Sequence, residues 1–155
     1  MVNLDTLTQF KDSQYARHLI FKSSHVEILL VCWRPGQKSP VHGHGNADGL
    51  MIILQGEMTN TTFTKNGQKI TTVWQSGAIG HTPVGDRHEV INNANTDAVS
   101  LHIYAPPLKR DLQGADMGYN NAVELKEVNL PEQVFQYFLG LSAKQSSKDA
   151  IDPVL

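Results

Sequence analysis

Segment 36–92 constrains this chain more than any other stretch, because it carries two histidine-bearing blocks, each punctuated by glycine. The first runs from Gly36 through His42-Gly43-His44 to Gly49 and Gly56. The second runs from Gly77 through Pro83, Gly85 and His88 to Asn92. On a strand, residues two apart share a face, so His42 and His44 project together. Neutral imidazole is the commonest protein ligand for divalent first-row metals. Two imidazoles from one strand and a third from a neighbour can occupy one triangular face of such an ion. His42, His44 and His88 are therefore candidate metal ligands, with no carboxylate among them. The alternative, that the three are unrelated turn or core histidines, is the weaker reading because glycine and proline fall at the matching places of both blocks. His18, His25 and His81 fall outside the spacing and read as surface or satisfied core residues.

Around these blocks the chain reads as short strands separated by turns. Residues 4–11 fit a short amphipathic helix and residues 15–21 a strand. The near-continuous apolar run 26–33, stopped by Arg34-Pro35-Gly36, suits a strand buried on both faces. Further strands are expected over 50–54, 58–64, 69–74, 78–82, 88–92 and 98–104. Asn66-Gly67 is the signature of a two-residue hairpin turn. Little helix lies between them, which argues for an all-β antiparallel barrel or sandwich. After Pro107 the pattern weakens to a strand over 123–128 and a helix from Pro131 to about residue 141. The expected organisation is one domain over 1–141 with minor terminal helices, followed by a mobile Lys/Ser-rich tail over 142–155.

A net charge of −2 supplies no basic field for nucleic acid or anionic membrane. The first ten residues lack a basic, apolar leader, and no segment approaches the roughly 20 apolar residues of a membrane span. A cytoplasmic protein is expected. The single cysteine, Cys32, lies inside the apolar run and reads as core rather than nucleophile.

Alternation links this layout to chemistry. Ser100, His102 and Tyr104 share one strand face, while Val99, Leu101 and Ile103 share the other. Tyr15 and Arg17 stand in the same two-residue relation. A polar strand face commonly looks at water. Together with His42 and His44, however, these residues would direct imidazole, phenol, hydroxyl and guanidinium into one barrel mouth.

The two-block spacing resembles that of the cupin superfamily, with Gly49 where most cupins carry a glutamate ligand. Tyr15-Ala16-Arg17, Cys32-Trp33, His42-Gly43-His44, Leu54-Gln55-Gly56, His88-Glu89-Val90 and the run from Ser100 to Pro107 (Ser-Leu-His-Ile-Tyr-Ala-Pro-Pro) together resemble the cysteine dioxygenase family. The resemblance implies a single-domain cupin. It further implies a mononuclear non-haem Fe(2+) enzyme that adds both atoms of dioxygen to the sulfur of a small thiol, giving a sulfinate. On that basis His42, His44 and His88 would hold the iron. Arg17, with Tyr15 beside it, would bind the substrate carboxylate. Tyr104 would act near substrate and dioxygen, oriented by His102 and Ser100. Animal members carry a cysteine at the place of Gly49, cross-linked to the tyrosine matching Tyr104; this chain has no sulfur there. The family also suggests a cis Ala105–Pro106 peptide.

The ligand chemistry accords with that implication. Three neutral imidazoles leave a divalent cation its full charge, which favours an incoming thiolate. L-cysteine is the first expectation for the substrate. 3-Mercaptopropionate is the alternative, although enzymes for that substrate typically carry glutamine at the place of Arg17. A cupin that holds zinc or senses a ligand is a different class, since three histidines plus water also suit zinc. Such a site has no evident need for Arg17, His102 and Tyr104 together.

Overall fold

The structure is a computed structural model and describes residues 8–109. Among the described residues, nine strands form two antiparallel sheets: β1 (Ala16–Lys22), β2 (Glu27–Trp33), β3 (His42–Gly43), β4 (Asp48–Gln55), β5 (Glu57–Phe63), β6 (Lys69–Gln75), β7 (Ile79–Thr82), β8 (Arg87–Ile91) and β9 (Ala98–Ala105). One sheet has the order β1-β2-β9-β4-β7 and the other β3-β8-β5-β6. The described residues thus have the all-β antiparallel architecture expected from the alternation. They contain no helix long and apolar enough to cross a membrane.

Inward residues of both sheets meet in one core: Leu29, Val31 and Trp33 of β2, Met51 and Ile53 of β4, Met58 of β5, Val90 of β8, and Ala98 and Tyr104 of β9. Strand β2 is buried on both faces, as its apolar run predicts, because Leu30 and Cys32 on its other side are also shielded. Burial pushes the Cys32 thiol up to about 11, so it stays protonated and behaves as a small apolar core group.

Three local features differ from the sequence expectation. Residues 8–11 are not helical, and the rest of the expected helix over 4–11 lies outside the described residues. So do the expected strand over 123–128, the helix to residue 141 and the tail. The β5–β6 hairpin closes through three residues rather than two: Gly67 N–H donates to the Thr64 carbonyl and Thr64 N–H to the Gln68 carbonyl, both at 2.9 Å. Gly67 then takes φ +82°, a left-handed position that glycine occupies without steric penalty. The two-residue β3 was not anticipated; it is too short to carry a periodic pattern.

The lead into β3 is fastened from the other histidine block. Gly36 N–H donates to the Asn92 carbonyl at 2.8 Å, Asn92 N–H to the Gln37 carbonyl at 3.0 Å, and Ser39 N–H to the Val90 carbonyl at 2.8 Å. Asn92, fully buried, also satisfies its side chain: Nδ2 donates to the carbonyls of Trp33 (3.2 Å) and Thr96 (2.8 Å), and Oδ1 accepts from Ala94 N–H (3.1 Å). The last residue of the second block is therefore a structural knot that sets both blocks in register. Ala105–Pro106 is cis, as the resemblance implied.

Candidate metal centre

Strands β3 and β8 bring the three block histidines together. His42 lies directly opposite His88 in the ladder, and His44 follows two residues on. One ligand atom from each falls within 4.8 Å of the other two. The rings surround a common point: centroids are 4.6 Å apart for His42–His88, 5.0 Å for His44–His88 and 5.3 Å for His42–His44.

Hydrogen bonds on the far side of two rings indicate which nitrogen faces that point. His42 Nδ1–H donates to the Pro40 carbonyl at 2.8 Å, and His88 Nδ1–H donates to Asn60 Oδ1 at 2.8 Å. Asn60 is held in that orientation because its Nδ2 donates to Thr62 Oγ1 at 2.9 Å. With Nδ1 protonated, each ring presents the lone pair of Nε2 inward. The Nε2 atoms of His88 and His44 lie only 3.2 Å apart. At that distance one ring can donate to the other while no cation is bound, and a cation would take both lone pairs in its place.

Burial keeps these rings neutral. It lowers His44 to about 4 and His88 to about 2, with the neighbouring imidazoles adding to the effect. His42 is lowered too, first by burial and then by the Arg17 and Arg87 guanidinium groups; its bond to Pro40 opposes them. A nitrogen-only donor set without carboxylate, already deprotonated at neutral pH, fits a divalent first-row ion.

His44 Nδ1 is different: it is buried and has no hydrogen-bond partner among the described residues. Gly49 accounts for that ring's position. A Cβ at Gly49 would sit 2.6 Å from His44 Nδ1 and 3.4 Å from Tyr104 Cε1, so any side chain there would force the imidazole to move. Ring packing against Tyr104, with centroids 4.8 Å apart, supplies the remaining support.

Beside the histidines lies a small cavity, with Tyr15, Arg17, His42, His102 and Tyr104 on its wall and Leu29, Val31 and Val90 as its apolar lining. Strand β9 turns its polar face into this interior: Ser100, His102 and Tyr104 are all buried. Their side chains are linked in order, Ser100 Oγ to His102 Nε2 at 2.9 Å and His102 Nδ1 to Tyr104 Oη at 3.1 Å. Tyr15 stacks on Trp33 with centroids 4.4 Å apart, and the Arg17 guanidinium lies 5.9 Å from the Tyr15 ring centre. The eight candidate residues named from sequence thus fall in one contiguous region. The other histidines do not: His18 bonds the Gln9 carbonyl, His25 pairs with Ser24, and His81 faces Asp48, all at the exposed surface.

Sequence reasoning passed over Asn60. Its signal was present: Met58, Asn60 and Thr62 alternate onto one face of β5, and a polar amide on a core-facing position requires a partner. That partner is 28 residues away and is visible only after β5 pairs with β8. Replacing Asn60 with leucine should lower metal affinity about 10- to 100-fold, as loss of a ligand's supporting hydrogen bond commonly does. Competition with a chelator measures this, and unchanged affinity would mean that ring packing and the Thr82 hydroxyl, 3.4 Å from Nδ1, suffice to orient His88.

A family model described as cysteine dioxygenase type I matches residues 3–111. Among curated proteins, human cysteine dioxygenase type 1 is 29% identical over 111 residues, covering 64% of this chain and 54% of the human one. The Danio rerio cysteine dioxygenase type 1 is 27% identical over 114 residues, covering 65% and 56%. The chain spans about half the length of these curated relatives. A crystal structure from Thermus thermophilus superposes with a TM-score of 0.61 at 24% identity, covering 68% of this chain and 96% of that one. The Schizosaccharomyces pombe Cnp3 cupin domain superposes with a TM-score of 0.59 at 17% identity, covering 68% and 72%. At such identities the solved structures speak to the fold, which is that of a cupin.

Proposed function

Because this chain belongs to the cysteine dioxygenase type I family, we propose that it is a mononuclear non-haem iron thiol dioxygenase that oxidises L-cysteine to cysteine sulfinate. The observation that carries this reading is the adjoining of two features: His42, one of three clustered imidazoles, shares the wall of a small cavity with the Arg17 guanidinium and the hydrogen-bonded Tyr104 phenol. His42, His44 and His88 would hold the ion. Ferrous iron, when bound, supplies the redox chemistry that allows dioxygen to add to sulfur.

The protein's own groups would bind and orient. Three neutral imidazoles contribute no negative charge, so the centre favours a thiolate over a neutral ligand. Arg17 would take the substrate carboxylate through two parallel N–H donors, fixing the distance between carboxylate and sulfur. Stacking of Tyr15 on Trp33 braces that end of the cavity, and the Arg17 guanidinium lies against the Tyr15 ring. The apolar lining of Leu29, Val31 and Val90 excludes water and strengthens the charge pairing. Tyr104 would contact the reacting end of the substrate, since its ring packs on His44.

Anaerobic loading with ferrous iron, followed by oxygen uptake with L-cysteine and mass detection of the sulfinate, tests the activity. Absence of oxygen uptake by fully loaded protein would overturn it. Arg17→Gln tests the substrate: a charge-assisted contact contributes about 1.5–3 kcal/mol, so efficiency on L-cysteine should fall roughly 10- to 100-fold. Cysteamine, which lacks the carboxylate, should change far less. Equal losses on both thiols would mean that Arg17 supports the fold, and a parent preference for 3-mercaptopropionate would replace cysteine as the substrate.

A further inference from the structure

The hydrogen-bonded row on β9 has a fixed direction, and the residue that fixes it is outside the row. Trp33 Nε1 lies 2.9 Å from Ser100 Oγ. An indole N–H can only donate, so Ser100 must accept on that side. Ser100 is completely buried, and among the described residues its hydroxyl has one other partner, His102 Nε2 at 2.9 Å.

Two proton arrangements can be written for the row. In the first, the Ser100 hydroxyl donates to a bare His102 Nε2, and the ring's proton sits on Nδ1 and is donated to Tyr104 Oη. In the second, Nε2–H donates to Ser100 and Tyr104 donates to Nδ1. The second leaves Ser100 accepting from both neighbours, with its own proton buried and without an acceptor. Unsatisfied buried donors carry their full desolvation penalty, so the first arrangement prevails. An acceptor at position 33 would have removed the distinction, because Ser100 could then donate to it.

We propose that Trp33 and Ser100 act as positioning residues that lock His102 as its Nδ1–H tautomer, so that Tyr104 accepts from His102 and presents its own proton to a partner other than His102. The phenol then faces a cavity ligand as a hydrogen-bond donor. The position beside Tyr104 consequently suits a group with lone pairs, a thiolate or an oxygen, in preference to an N–H or O–H group. This consequence for ligand choice rests on the proposed thiol chemistry; the tautomer does not.

The test uses the full chain, metal-free and labelled with 15N in histidine, with His102 assigned by the signal lost in His102→Gln. Two-dimensional spectra that correlate ring nitrogens with ring protons should show His102 protonated at Nδ1 and bare at Nε2. Protonation at Nε2 overturns the proposal with no variant needed. In Ser100→Ala the donor to Nε2 is gone, and a detectable population of the Nε2–H form should appear; an unchanged single tautomer in a folded variant would mean that the direction is set elsewhere. Neither reading depends on oxygen uptake. An inactive protein with the Nδ1–H tautomer would therefore sink the proposed activity and leave this inference standing.

Discussion

Replacing His88 with alanine is expected to abolish metal retention and thiol oxidation together. His88 is almost completely buried, lies opposite His42 across the β3–β8 ladder, and brings its Nε2 within 3.2 Å of that of His44. Removing it takes away one of three nitrogen donors and leaves two, with no carboxylate in the cluster among the described residues to compensate. The deficit should far exceed the 10- to 100-fold effect of losing a supporting hydrogen bond such as Asn60 provides. Metal content by elemental analysis after ferrous loading and desalting, together with oxygen uptake, checks both halves. Far-ultraviolet circular dichroism shows whether the variant is still folded. Full iron content in a folded His88→Ala protein would remove His88 from the ligand set.

Acid should destabilise the metal-free protein steeply. Burial holds His44 at about 4, His88 at about 2 and His102 at about 3, and lowers His42 as well. In the unfolded chain each returns to about 6.5. The sign follows: above pH 6.5 both states are neutral and stability is complete. As pH falls below 6.5 the unfolded chain takes up protons that the folded state refuses, and stability is lost until the folded values are reached. Each such ring contributes about 1.4 kcal/mol per pH unit. His44, His88 and His102 acting together would remove roughly 6 kcal/mol by about pH 5, comparable with the whole stability of many domains, and His42 adds in the same direction. Urea unfolding of metal-free protein at pH 7, 6 and 5 should show the midpoint collapsing, with a shallower fall in His102→Gln. A midpoint independent of pH across that range would mean that the rings are already solvated.

Strand positions were largely legible because alternation, glycine and proline act locally. The run 98–104 displayed its two faces in sequence, and Ser100, His102 and Tyr104 do occupy one buried face. Asn66-Gly67 announced a turn, but not whether two or three residues would close it. That depends on how Thr64 and Gln68 pair across the ends of the strands.

By itself, the sequence determined the all-β antiparallel class, the three histidines with no carboxylate among them, and the candidate residues of the cavity. Residue type, spacing and face suffice for those, since a strand's period is set by its own backbone. Only the tertiary structure decided how each group is used. Asn60 reaches His88 across the β5–β8 ladder, and Trp33 reaches Ser100 from 67 residues away. Gly49 matters because His44 occupies the space where its side chain would be. A hydrogen bond and a steric contact act over a few ångströms of space and are indifferent to separation along the chain, so no local pattern could have recorded these three relations.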